Sequence, residues 1–233
     1  GLSGLKLTLF KNENNVVLLP AESSAITVPF EDTEEIRVLK AGEEGADFIK
    51  IMTTGLLDFN NHGRVTGTPL EAKEVKEMVH IAHEEGFAVM SHTNGAYGTI
   101  AAIEAGVDSL EHGNYMDEET VTMLAESSTV WVPTLVTVRN LIGCGRYEDA
   151  ILRPIAERAE ELLCLAFQKR AKVALGSDAG AYMVPHGRGI CQEFDSFCQI
   201  LGNTSRVTEW LKNGEKEIRE RSVSYTHLRA HET

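Results

Sequence analysis

Four segments of the 233-residue chain each end in a side chain that can hold a proton or a metal ion: Lys50 in FIKIMTTG, His92 in VMSHTNG, His112 in SLEHGN and Asp178 in ALGSDAG. Two imidazoles, a carboxylate and an amine form a donor set for divalent cations, and the same groups can move protons during hydrolysis. Each has an ordinary role when taken singly. A histidine at a strand end is more often a hydrogen-bonded structural group, an aspartate before Ala-Gly caps a helix or forms a turn, and a lysine snorkels to solvent. At successive or near-successive strand ends the four together point to a metal site. Lys50 is the least ordinary of them, because it interrupts an apolar run that otherwise reads as a buried strand. Desolvation there lowers a lysine pKa and favours the neutral, nucleophilic amine.

These residues need a scaffold that brings distant strand ends together. From Glu34 onward helical and strand-like segments alternate, which is the pattern of βα units around a parallel sheet. EEGADFIKIM, EEGFAVMSH and EAGVDSLEH repeat one punctuation: an acidic residue in a last helical turn, then Gly45, Gly86 or Gly106 at the helix end, then a short apolar strand. The pattern predicts strands near 48–52, 88–91, 109–111, 130–133 and 173–175, with a less defined one in VVLLP or AITVP. Helices are predicted from Pro69 through the Val75, Met78, Val79 and Ala82 face, over DEETVTMLAES behind an acidic cap, from 154 to 170, and over TSRVTEWLKNGEKEIRER. Without antiparallel hairpin signals or a Gly-rich phosphate fingerprint, the placement of polar residues at strand ends favours a (β/α)8 TIM barrel over a doubly wound sheet. Period-two alternation puts Phe48, Lys50 and Met52 on one face, and Met90 with His92.

Bulk composition narrows the partners. The chain has 22 Lys+Arg against 35 Asp+Glu, a formal charge of -13, which opposes binding to nucleic acid or an anionic membrane surface. No apolar run approaches the roughly 20 residues of a membrane-spanning helix. Cys144, Cys164, Cys191 and Cys198 show no CxxC pairing, which suits structural thiols in a reducing, cytoplasmic setting. A small-molecule substrate and a possible homo-oligomer are the expected partners.

The segments ADFIKIMTTG, AVMSHTNGAYGTIAAIEAGVDSLEHG, VWVPTLV and VALGSDAG, followed by HGRGICQEF, resemble the motifs of strands 4 to 8 in the amidohydrolase superfamily. The nearest branch is that of imidazolonepropionase-like and Xaa-Pro dipeptidase-like metal-dependent hydrolases. The resemblance covers about 37–194 and implies a partial (β/α)8 barrel that lacks strand 1 and probably strand 2. It implies that Lys50 is carboxylated by CO2 and bridges two divalent metals, zinc by preference, with His92 and His112 on one metal and Asp178 on the other. It also implies hydrolysis of an amide-like C-N bond by metal-bound hydroxide, with Asp178 and Lys50 as the catalytic pair.

The resemblance is incomplete in two places. The family's His-x-His pair of strand 1 is missing, and its nearest approach, His80 and His83 in HIAH, falls on a helix face expected to meet solvent. The simplest expectation is a chain that starts after the first strands. Asn94 stands where many relatives carry a second histidine. Substrate contacts are expected from strand-end loops, with His62, Arg64, Asn94, Tyr97, Arg139, His186 and Arg188 as candidates, and a guanidinium there would suit a substrate carboxylate. The last segment, VSYTHLRAHET, resembles the translation of a sequencing-library adapter, so 1–221 is read as the truncated hydrolase barrel and 222–233 as a non-native tail. Two rival readings remain: a Schiff-base lysine carbonyl-lyase barrel, which leaves His92, His112 and Asp178 without roles, and a catalytically inactive barrel fragment.

Overall fold

The computed structural model describes strands at 5–8, 11–12, 15–18 and 26–29 and the chain from 46 to 229 except residue 203, with side chains from 46 to 221 except 203. The main sheet is parallel, in the order β1 (Leu5–Thr8), β5 (Ala46–Met52), β6 (Ala88–Thr93), β7 (Ser109–His112) and β8 (Val130–Val132). A single parallel bridge from Trp131 to Val173 adds a further segment beside β8, where a full strand over 173–175 was expected. The early segments depart from the expected pattern. VVLLP and AITVP contribute to β3 (Asn15–Leu18) and β4 (Ile26–Pro29), which pair antiparallel with each other, and β3 also pairs antiparallel with β2 (Lys11–Asn12), in a separate sheet. Asn12 pairs with Asn15, so only Glu13 and Asn14 lie between β2 and β3, a connection length that selects a hairpin rather than a crossover.

The crossovers follow from the expected periodicity. Helix α1 (Ala72–Glu84) buries Val75, Val79 and Ala82 against the sheet, with Met78 packed beside them. It starts later than Pro69: Leu70 still donates its backbone N–H to Thr53, and the Glu74 carboxylate reaches back to the Glu71 amide. Gly86 (φ 74°) follows its end and Gly106 (φ 82°) caps α2 (Ala96–Ala105), the left-handed positions that the repeated punctuation required; the equivalent position at Gly45 lies outside the described residues. Asp117 caps α3 (Glu118–Glu126) by accepting the Thr120 amide, as its acidic start predicted. His80 is exposed, but His83 is not turned to solvent as expected, since its Nε2 lies 2.9 Å from the Asp108 carboxylate.

Beyond β8 the short α4 (Val136–Arg139) precedes α5 (Asp149–Lys169), which begins five residues before the expected start at Pro154. Pro154 is tolerated because the helical bond it removes would have ended on Ala150, an exposed first-turn residue whose carbonyl can meet water. Helices α6 (Arg188–Leu201) and α7 (Thr204–Arg229) complete the chain, and α7 runs through the expected boundary at 221. Ile49, Ile51, Leu110 and Trp131 pack in the main core with α1, α2, α3 and α5, whereas Val130, Val132 and Ala174 meet Ile218 of α7. The sheet is therefore covered on both faces. The four cysteines are unpaired thiols, and burial pushes the Cys164 thiol up.

Helix α7 approaches the sheet through Gly214. A Cβ at this position would lie 2.0 Å from the Val173 carbonyl oxygen and 2.9 Å from the Ala174 nitrogen, both backbone atoms that cannot swing away. Gly214→Ala is expected to lift α7 off the sheet and cost about 1–3 kcal/mol. Thermal unfolding followed by circular dichroism checks this, with a fall in Tm of several degrees as the expected result.

Candidate functional site

The C-terminal ends of the strands open into a cavity of about 490 Å3. Lys50, His92, His112 and Asp178 all line it, together with Asn94 and Asn114. Its outer wall is apolar, built from Leu56, Leu57 and Phe59 after β5, Leu141 and Tyr147 after α4, and Tyr182 after Asp178. A second cleft, about 540 Å3, lies around Trp210 between the end of α5 and the first half of α7 and contains none of these groups.

Lys50 is 6% exposed, held in the middle of β5 by register with Met90 of β6 and Thr8 of β1. His92 stands at the end of β6, on the same face as Met90. His112 reaches the cavity by a different route. Strict alternation on β7 would give it the face of Leu110, which is fully buried in the core. His112 instead takes a left-handed backbone (φ 68°), and its ring lies edge-on to that of His92 with centroids 4.6 Å apart. Thr134, just after β8, and Asp178 share the left-handed conformation, each with φ 53°. Non-glycine residues there are strained, and β-branched threonine most of all. Three such residues therefore cluster at consecutive sheet ends around one cavity.

The two imidazoles are held by different partners. His112 Nδ1 lies 2.7 Å from the Thr134 hydroxyl, so a cation bound by this ring would take Nε2. His112 also accepts the Trp131 indole N–H on its backbone carbonyl, which ties the strained residue to β8. His92 Nε2 lies 3.1 Å from the Gly55 carbonyl and 3.2 Å from Asn94 Nδ2. Asn94 Oδ1 accepts both the backbone and side-chain N–H groups of Asn114, which fixes its amide so that Nδ2 also faces the Gly55 carbonyl. The Gly55 oxygen is then an acceptor for His92 Nε2–H, and a cation would take Nδ1. Asn94, expected to contact substrate, is 3% exposed, and its amide is engaged by Asn114 and by the Gly55 carbonyl beside His92.

Among the described residues, no three His, Cys, Asp or Glu side chains converge closely enough to hold a metal ion. Two imidazoles are in place, and Asp178 is exposed at the cavity rim. The donors fit a cation only if Lys50 becomes anionic, because an ammonium ion is a donor with no lone pair to give.

The other expected contacts are not among the residues that line the cavity. His62 and Arg64 are exposed, with the His62 ring edge-on to Tyr115, and Tyr97 is 60% exposed. His186 and Arg188 are exposed before and at the start of α6. Arg139 ion-pairs with Glu160 and bonds Gln199. Thr137 is the α4 residue that lines the cavity, and two residues further along a helix is about 200° of rotation, which turns Arg139 away.

Sequence reasoning missed Thr134, Asn114 and Glu193. Glu193 is fully buried, and each of its oxygens accepts one backbone N–H, from Leu135 and Val136, at 2.8 Å. Burial pushes its carboxyl up to about 7 against the opposing pull of those two bonds and of Arg139. A signal was available, because Gly189, Glu193, Ser196 and Phe197 are the buried residues of α6 and follow helical spacing.

The amidohydrolase family profile matches residues 13–209. An uncharacterized protein of Mycobacterium tuberculosis is 32% identical over 127 residues, covering 52% of this chain and 34% of that protein. The ochratoxinase of Aspergillus niger is 28% identical over 139 residues, covering 58% and 29%. The chain thus spans about a third of the length of the curated relatives it matches. Among solved structures, a Xaa-Pro dipeptidase with methionine bound in its active site superposes with a TM-score of 0.59 at 26% identity, over 84% of this chain and 53% of that one. The A. niger ochratoxinase superposes with a TM-score of 0.65 at 23% identity, over 79% and 42%. No helix among the described residues is long and apolar enough to cross a membrane. With the family profile matching most of its length, the chain belongs to the amidohydrolase family.

Proposed function

We propose that this chain forms a partial (β/α)8 barrel, lacking strand 1 and probably strand 2, of a metal-dependent hydrolase that cleaves an amide-like C-N bond. The observation that carries the reading is the facing pair of imidazoles, His92 and His112, each oriented by a separate partner in the cavity that Lys50 also lines. Lys50 is the third donor. Its buried amine adds to CO2 and loses a proton, which gives a carbamate whose negative charge calls for a cation in so enclosed a site. Carboxylated Lys50, His92 and His112 would hold one divalent ion, preferably zinc. A second ion would share Lys50 and Asp178 and take its other ligands from outside these residues.

When bound, the metal supplies Lewis acidity at the substrate carbonyl and lowers the pKa of water at the site. The protein groups do the rest. The rim position of Asp178 suits a carboxylate that takes the proton of the attacking water and passes it to the leaving nitrogen, so that amide and water become carboxylate and amine. The Gly55 carbonyl keeps the His92 ring in place, and the apolar wall of Leu56, Phe59, Tyr147 and Tyr182 receives a bulky apolar group beside the scissile bond and excludes water around it. The fold likeness to a Xaa-Pro dipeptidase supports a substrate of dipeptide or acyl amino acid size.

The test uses a protein of the relatives' length that carries this chain, assayed against acyl amino acids and dipeptides with apolar side chains. The expected result is hydrolysis that stops on chelation and returns with zinc or cobalt. Hydrolysis indifferent to chelators, or borohydride trapping of a carbonyl substrate on Lys50, would contradict the proposal and favour the Schiff-base reading.

A further inference from the structure

The deepest charged side chain among the described residues lies outside the proposed ligand set. Glu193 comes from α6, yet both its oxygens are engaged with the loop after β8, one on the Leu135 amide and one on the Val136 amide. These amides directly follow Thr134, the β-branched residue with left-handed backbone whose hydroxyl meets His112 Nδ1. Such a conformation persists only where its surroundings over-determine it, and a two-pronged acceptor on the next two amides does that. Glutamine has one oxygen, and its NH2 group would face the other backbone N–H.

We infer that Glu193 is a positioning residue: by clamping the Leu135 and Val136 amides it holds Thr134 where its hydroxyl accepts Nδ1–H of His112, which fixes that ring as the Nδ1-protonated tautomer with Nε2 turned to the cavity. The importance of that tautomer for a cation rests on the proposed ligand set. The clamp itself does not. The nearby guanidinium of Arg139 is ion-paired with Glu160 and leaves the two Glu193 oxygens to the backbone.

The test is long-range 1H–15N NMR of the His112 ring in the metal-free chain, compared among wild type, Glu193→Gln, Thr134→Val and Ser196→Ala, a buried residue of the same helix that bonds only within it. Wild type and Ser196→Ala are expected to show a single Nδ1-protonated tautomer. Glu193→Gln and Thr134→Val are expected to show a mixture, with cobalt affinity lowered about 10–100-fold, the usual effect of losing an outer partner of a ligand. A folded Glu193→Gln that keeps the single tautomer overturns the inference, as does a wild-type ring protonated at Nε2. If Glu193→Gln does not fold, Thr134→Val decides, because an unchanged tautomer there removes the route by which Glu193 would act. A tautomer that responds in a chain that binds no metal sustains the clamp and defeats only the hydrolase reading.

Discussion

Lys50→Met is expected to weaken divalent metal binding by at least about 1,000-fold, more than the 10–100-fold that follows loss of an outer-shell partner, while leaving the metal-free protein at least as stable as the wild type. The two halves of this prediction have separate causes. Lys50 is 6% exposed in a strand whose neighbours are Ile49 and Ile51, so burying its amine carries a desolvation cost that an unbranched apolar side chain of similar length does not incur. Methionine keeps the volume and cannot react with CO2. The remaining donors, His92 and His112, are two imidazoles, and two neutral ligands bind a divalent ion far more weakly than a set completed by an anion. Metal competition titrations and chemical denaturation on the same samples check both halves. A structural lysine would give the opposite outcome, with lost stability and unchanged metal binding.

Folding stability is expected to carry a pH step from Glu193 with a sign opposite to that of an ordinary surface carboxylate. Its carboxyl titrates near 7 in the folded protein against 4.5 for the free side chain, and desolvation is the largest cause. A raised carboxyl pKa means that the folded state prefers the protonated form. The stabilising contribution is therefore complete below about 4.5, declines as pH rises, and is lost above about 7, a change of about 3 kcal/mol for a fully buried group. Asp117, Asp149 and Asp58 run the other way, because hydrogen bonds from Thr120, Gly143 and Asn61 hold their carboxyls low. The Glu193 step is isolated by taking the difference between wild type and Glu193→Gln. In urea titrations from pH 4.5 to 7.5, that difference should move against the wild type by about 3 kcal/mol. A difference independent of pH would show that Glu193 keeps its charge in both states.

The residues that sequence reasoning placed well are those whose local signal and tertiary role agree. Glycine at a helix end, followed by an apolar strand, marks βα units because few other residues adopt the left-handed backbone at low cost. Lys50 and His92 follow the strand period and line the same cavity. His112 lines it too, but its geometry could not be read from that period, which gives it the opposite face. A left-handed histidine is set by packing around Trp131 and Thr134, and nothing in SLEHGN announces it. Arg139 misled because PTLV reads as a strand end followed by a loop, whereas the chain turns at once into a short helix that rotates the guanidinium toward Glu160. The apolar wall of the cavity was unseen because Leu56, Phe59, Tyr147 and Tyr182 come from separate loops with no common period. The antiparallel strands near the start were missed because the hairpin signal there is only a short asparagine-containing connection.

The proposed carbamate on Lys50 is tested most directly by 13C NMR of the chain loaded with zinc in 13C-labelled bicarbonate. One labelled carbamate resonance is predicted, dependent on the metal and absent from Lys50→Met. A folded chain that binds zinc without acquiring the label, or a label that survives Lys50→Met, would contradict it.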